Sequence, residues 1–339
     1  TIASDLAITS VSPTSVQAGS PGVQLTITGK GFVSGSVVNF NATKLTPVFV
    51  SASSLTADVP GGLLATGGTA LITVSNPDGS VANGPTFVIT SQPFITAPVV
   101  NGASFLPGIQ SGSWSTVFGT NLSTTTRNWD GAIIDGKLPL SLDNVSVMVN
   151  NKPAAIYFIS PGQINFQAPD DTATGAVNVT VTNSSGTSNS MVAQLQRDAP
   201  GFFMFDPQAR KYVAALVANA DGSATFLGPP NLFGAGGAVT RPAKPGEILE
   251  LYGTGFGPTN PAVKAGFIVG SAAPAVDKVT ITIGGLDAVV QFAGITGAGL
   301  YQINAVVPLN LAAGDQPIVA TVNNSLKTPD GSFVTITTK

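Results

Sequence analysis

The chain has 339 residues, 14 basic against 17 acidic for a net charge of -3, and 9% charged side chains beside 43% hydrophobic ones. That balance offers no cationic footprint for nucleic acid, and the absence of His and Cys removes the usual general base, thiolate nucleophiles, thiolate metal sites and disulfides together. No apolar run approaches the roughly 20 residues of a membrane helix, the longest being 212–218.

Read in chain order, one pattern recurs three times. Its first block is a strand ending in a Gly-x-Gly or Gly-x-Asn bend: Leu25-Thr26-Ile27-Thr28-Gly29-Lys30-Gly31-Phe32, then Trp114-Ser115-Thr116-Val117-Phe118-Gly119-Thr120-Asn121-Leu122, then Ile248-Leu249-Glu250-Leu251-Tyr252-Gly253-Thr254-Gly255-Phe256. Gly31, Asn121 and Gly255 align, and the exchange of Gly with Asn predicts a left-handed bend there. The second block is a strand stopped by Pro, at 55–60, 164–169 and 303–308. Period-2 alternation puts Leu55, Ala57 and Val59, and their counterparts Ile164, Phe166, Ala168 and Ile303, Ala305, Val307, on one face. The third block alternates again, as in Ala70-Leu71-Ile72-Thr73-Val74 and Val177-Asn178-Val179-Thr180-Val181, the pattern of a half-buried antiparallel strand.

Short strands punctuated by 39 Gly and 25 Pro, with no convincing helix, predict an all-β chain of three tandem immunoglobulin-like β-sandwich domains. The boundaries fall at 1–91, 92–200 and 201–339, the third domain carrying an N-terminal crossing segment and a long insertion. Few charges leave solvation to Ser, Thr, Asn and Gln, and such a surface tolerates close contact with neighbours.

Residues 6–90, through Ile8-Thr9-Ser10-Val11-Ser12-Pro13, Gly29-Lys30-Gly31-Phe32 and Val74-Ser75-Asn76-Pro77-Asp78-Gly79, resemble an IPT/TIG domain, an immunoglobulin-like fold of receptors, some transcription factors and bacterial surface proteins. Residues 95–338 resemble the uncharacterised C-terminal domain of secreted Solibacter-type bacterial proteins. That likeness rests on Asn101-Gly102-Ala103-Ser104-Phe105, Ile159-Ser160-Pro161-Gly162-Gln163-Ile164-Asn165-Phe166-Gln167, Tyr252-Gly253-Thr254-Gly255-Phe256-Gly257-Pro258 and Leu300-Tyr301-Gln302-Ile303-Asn304. The resemblance implies an extracellular or cell-surface setting and brings no catalytic residues, and a start at Thr1 rather than Met predicts that a signal peptide has been removed.

Asp78-Gly79, Asp221-Gly222 and Asp330-Gly331 lie near strand ends, where hairpin turns explain them better than calcium loops. Glu247 and Glu250, the only glutamates, sit three apart on a strand and point to opposite faces. No enzyme activity, metal or cofactor is expected. The candidate interaction surface is the loop residues Arg127 and Trp129, with Phe202, Phe203 and Phe205 from a run too apolar to stay exposed on a monomer. Ile2, Leu6, Val334 and Ile336 are candidate assembly termini, able to add to a neighbour's open sheet edge.

Two functions follow from different classes. The first is a structural protein that self-associates into a homopolymer, an extracellular filament or surface layer. The alternative is a monomeric adhesin or carbohydrate-binding module that takes a glycan or cell-surface ligand with its inserted loops.

Overall fold

The computed structural model describes residues 6–206 and 209–338. It is built of strands, with one short 3-10 turn at Gly61–Leu64. The chain divides into two compact units, Thr1–Gln92 and Pro93–Lys339. The first holds one hydrophobic core; the second holds two, centred on residues 95–195 and 202–336. The sequence-based boundary at 200/201 therefore falls between two cores of one compact unit.

In the first unit, a four-stranded sheet runs Ala7–Ser12, Gly22–Lys30, Ser54–Pro60, Val48–Ser51, and a five-stranded sheet runs Ser15–Gln17, Val81–Thr90, Gly68–Ser75, Val37–Phe40, Thr43–Leu45. The second unit opens with two sheets centred on Trp114–Thr120 paired to Gln163–Gln167, and on Gly175–Asn183 paired to Met191–Gln196. Its remaining strands join into one twelve-stranded sheet. The join is the twelve-residue strand Leu286–Gly297, which pairs first with Val279–Ile283 and then with Leu300–Val306, shifting register between Val290 and Phe292. A bulge of this kind bends a strand enough to serve two layers.

The repeated motif has one physical meaning in all three sandwiches. Its first strand pairs with the Pro-terminated strand, Leu25 opposite Ala57, Val117 opposite Ile164 and Leu251 opposite Ile303. Gly31, Asn121 and Gly255 bend at φ +76°, +54° and +84°. Two residues earlier, a side chain on Gly29, Gly119 or Gly253 would collide with the carbonyl oxygen of Ala7, Phe94 or Gly201 respectively. The bend then folds Phe32, Leu122 and Phe256 back over that same glycine, and all three are buried. The inward residues of the Pro-terminated and alternating strands are buried as their period requires, while Leu71 on the opposite face is exposed.

The termini depart from expectation. Val334 and Ile336 pair with Gln316 and Gly314 inside their own sheet and are 1% and 2% exposed. A strand already paired and buried is not free to be donated to another chain, so these two residues are corrected to core. Leu6 is half-buried against the first core, and Ile2 lies outside the described residues.

Adding one methyl at the crowded glycine, Gly119→Ala, is expected to destabilise the second unit by about 3 kcal/mol, at the upper end for overpacking because a backbone carbonyl must move. Gly270→Ala, where a side chain meets nothing, is expected to stay within about 0.5 kcal/mol. Urea unfolding of both variants checks the contrast.

Candidate functional site

The strand Trp114–Thr120 carries its core residues, Ser115 and Val117, on one face and Trp114 and Thr116 on the other. Register places Trp114 opposite Gln167 and Thr116 opposite Asn165, so the outer face of this sheet presents an indole beside a row of amides and hydroxyls. The neighbouring strand Ala155–Ile159 adds Tyr157, 39% exposed. The short strand Arg127–Asn128 pairs with Phe158 and Ile159, which brings Trp129 over Tyr157.

Three rings meet edge to face. Centroid separations are 5.6 Å for Trp114–Trp129, 5.7 Å for Trp114–Tyr157 and 5.0 Å for Trp129–Tyr157, within the range that aromatic quadrupoles favour. They form one wall of a recess of about 480 Å³. Phe203, Ile268, Ala298 and Leu300, all from the third sandwich, line the other side. No charged side chain lines it. Thr116 Oγ1 and Gln163 Nε2 both donate to Asn165 Oδ1, at 3.0 and 2.8 Å. Among the described residues nothing bonds the Asn165 NH₂ or the Tyr157 hydroxyl.

The recess exists because the second and third sandwiches are locked together. The Trp114 backbone N–H donates to Thr254 Oγ1 at 3.0 Å, and its indole N–H donates to the Ala298 carbonyl at 2.7 Å. Thr254 in turn donates to the Gly299 carbonyl at 2.7 Å. Any side chain on Gly299 (φ +62°) would meet the Trp114 indole at 2.9 Å. Further along the seam, Gln110 Oε1 accepts from the Gly257 N–H at 3.0 Å, Gln167 Oε1 from the Gly266 N–H at 2.8 Å, and Asp170 from the Ala265 N–H at 3.1 Å.

The candidate residues named from sequence separate here. Trp129 is half-buried: it packs on the second core and also walls the recess. Arg127 stands outside the recess, where its guanidinium bonds Asp143 at 3.1 Å and the carbonyls of Asn128 and Asp130, stapling the loop that holds Trp129. The run 202–205 divides three ways. Phe202 is 3% exposed in the third core against Phe256, Phe203 lines the recess, and Phe205 joins Phe226 and Phe233 in a second aromatic trio at the surface. Sequence reasoning passed over Trp114, Tyr157 and Asn165. Their signal was present: an indole on an outward strand position followed two residues later by Thr.

Elsewhere, Glu247 is held below its ordinary pKa, against the cost of its burial, by Arg241 and the Lys244 N–H, and Glu250 accepts from the Tyr252 hydroxyl at 3.2 Å. Among the described residues no group of three or more carboxylates is gathered to hold a metal. The Asp78 and Asp221 carboxylates each accept from the N–H and hydroxyl of the Ser two residues on, closing turns.

Set against known proteins, the family described as IPT/TIG domain matches residues 6–89 and 104–196. The second match lies within the region that resembled the Solibacter-type domain. No curated protein matches the sequence. Among solved structures, an I-band fragment of titin is 11% identical, with 99% of this chain and 97% of that one covered at a TM-score of 0.32. A Bacteroides ovatus protein of the mixed-linkage glucan utilization locus, solved with a mixed-linkage heptasaccharide, is 10% identical over 96% of this chain and 66% of its own, also at 0.32. The plexin A4 extracellular region is 14% identical over 94% of this chain at 0.27, and this chain spans 23% of it. These likenesses concern fold alone.

Proposed function

The chain belongs to the IPT/TIG domain family, and from that premise we propose that it is a non-catalytic binding module, working outside the cell, whose seam recess takes a neutral ligand with an apolar ring face and hydroxyl edges. That is the chemistry of a sugar residue. The observation that carries this reading is the lining: four aromatic rings, those of Trp114, Trp129, Tyr157 and Phe203, no charge, and unengaged polar groups at Asn165 and Tyr157. An apolar wall penalises a charged ligand that finds no partner, whereas rings supply contact area and the amide and phenol supply direction. The volume falls within the roughly 300–1,000 Å³ typical of small-molecule sites.

Both tryptophans of the chain stand at the recess, so their fluorescence reports occupancy directly. Titration with a panel of neutral oligosaccharides is expected to give a saturable change, and Tyr157→Ala is expected to weaken it about tenfold through the lost ring contact. No saturable response across the panel, or an affinity untouched by Tyr157→Ala, contradicts the reading.

Self-association is a second reading, supported by a different observation. Val48–Ser51 is the outermost strand of its sheet, and Val48, Phe49 and Val50 are 64%, 40% and 59% exposed. An apolar open edge is a template for strand addition, here by a second copy of the same edge. Light scattering of the native protein is expected to show a mass above that of one 34.0 kDa chain, returning to one chain on Phe49→Lys. A monomer at all concentrations contradicts it.

A further inference from the structure

Asp198 follows Met191–Gln196, the last strand of the second sandwich, and Asp277 precedes Val279–Ile283 of the third, and the seam brings both carboxylates to Gly257. A side-chain carbon on Gly257 (φ +95°) would sit 2.5 Å from Asp198 Oδ1 and 2.8 Å from Asp277 Oδ2. Only a glycine leaves the two oxygens that space. Asp198 is 5% exposed, and its Oδ1 accepts from no donor among the described residues. A buried carboxylate oxygen with no donor is expensive to keep ionised.

The local charges do not balance. Arg197 Nη2 donates to Asp277 Oδ1 at 2.9 Å and lies 2.8 Å from its Oδ2, but Arg197 Nε is 4.0 Å from Asp198 Oδ2. One guanidinium therefore serves Asp277 and leaves Asp198 short of a positive charge. Tyr301, whose hydroxyl donates to the Gly257 carbonyl, is a further titratable group against the pair, its pKa pushed up to about 12 chiefly by burial.

We propose that Asp198 and Asp277 hold one proton between them, and that its release to solvent sets two carboxylates against each other across Gly257 and loosens the seam. The bond that takes the strain is Gly257 N–H to Gln110 Oε1. Burial first, then the Asp277 charge and hydrogen bond, push Asp198 up to about 6. Asp277, against the cost of its own burial, is held below its ordinary value by Arg197. The folded pKa of Asp198 thus exceeds its unfolded value of 3.8. The stabilisation is complete below the unfolded value and is lost as pH rises through about 6. The chain has no His, and Asp171, Glu247 and Asp315 move downward, so little else titrates between about pH 5 and pH 7.5.

The test is the melting temperature of the full chain across that window. The wild type is expected to lose about 4 °C, whereas Asp198→Asn, whose amide donates to Asp277 without a titratable proton, is expected to stay level and to exceed the wild type at the upper end. An equal slope in both proteins overturns the proposal. If Asp198→Asn does not fold, carboxyl-carbon NMR of the wild type decides: one Asp titrating near 6 supports the shared proton, and all midpoints below about 4.5 overturn it. A melting temperature at the upper pH that rises with calcium chloride but not with sodium chloride puts a metal ion in the proton's place and also overturns it.

Discussion

Each sandwich depends on one close crossing, where a strand passes a neighbouring backbone carbonyl at a glycine and then turns at positive φ. Gly29, Gly119 and Gly253 admit the carbonyls of Ala7, Phe94 and Gly201, and Gly31, Asn121 and Gly255 turn the chain so that Phe32, Leu122 and Phe256 cover the contact. The bend fixes where the strand ends, and period-2 alternation then fixes which face each earlier residue takes. In the second sandwich this determines the binding wall. With Gly119 and Asn121 set, Val117 and Ser115 point to the core, and Thr116 and Trp114 must point away from it.

An outward tryptophan needs a reason to sit against protein rather than water, and the third sandwich supplies it. Trp114 engages that sandwich through both its backbone and its indole N–H, and Thr254 links the contact to Gly299. Each such bond contributes about 1 kcal/mol net, but together with those at Gln110 and Gln167 they satisfy polar groups that would otherwise be stranded between two apolar cores. The recess is what the seam leaves unfilled. Its walls come from two sandwiches, so its shape is held by the same bonds that make residues 93–339 one unit. The acid pair at Gly257 lies along the same seam and places a titratable element within its hydrogen-bond network.

Legibility in the sequence followed the range of the interaction. Bends, strand faces and core residues are local, and Gly31, Asn121, Gly255, the Pro-stopped strands and the turns at Asp78-Gly79 and Asp221-Gly222 all declared themselves through residue type and period, whereas Asp330-Gly331 joins two strands that do not pair with each other. Trp129 stood out as an aromatic in a loop. Trp114, Tyr157 and Asn165 did not, because what makes them a site is the approach of residues 254, 268 and 298–300, far along the chain. The run 202–205 reads as one stretch too apolar to stay exposed, yet alternation and a turn send its rings to a core, a recess and a surface. Val334 and Ile336 read as free ends because nothing in a terminal Val/Thr/Ile stretch says that the strand Gly314–Val322 already pairs with it. Asp198 and Asp277 gave no sign of each other at their distance along the chain.

The central claim is that the second and third sandwiches form one cooperative body and that the recess is a product of that union. Native-state hydrogen exchange in rising denaturant tests it most directly. Core amides of Gly175–Asn183, in the second sandwich, and of Val279–Ile283, in the third, are expected to merge onto a single opening free energy with a single denaturant dependence. Two separate isotherms, one for each strand, would mean that the sandwiches open independently, and the seam would then be a contact between neighbours rather than the frame of a binding site.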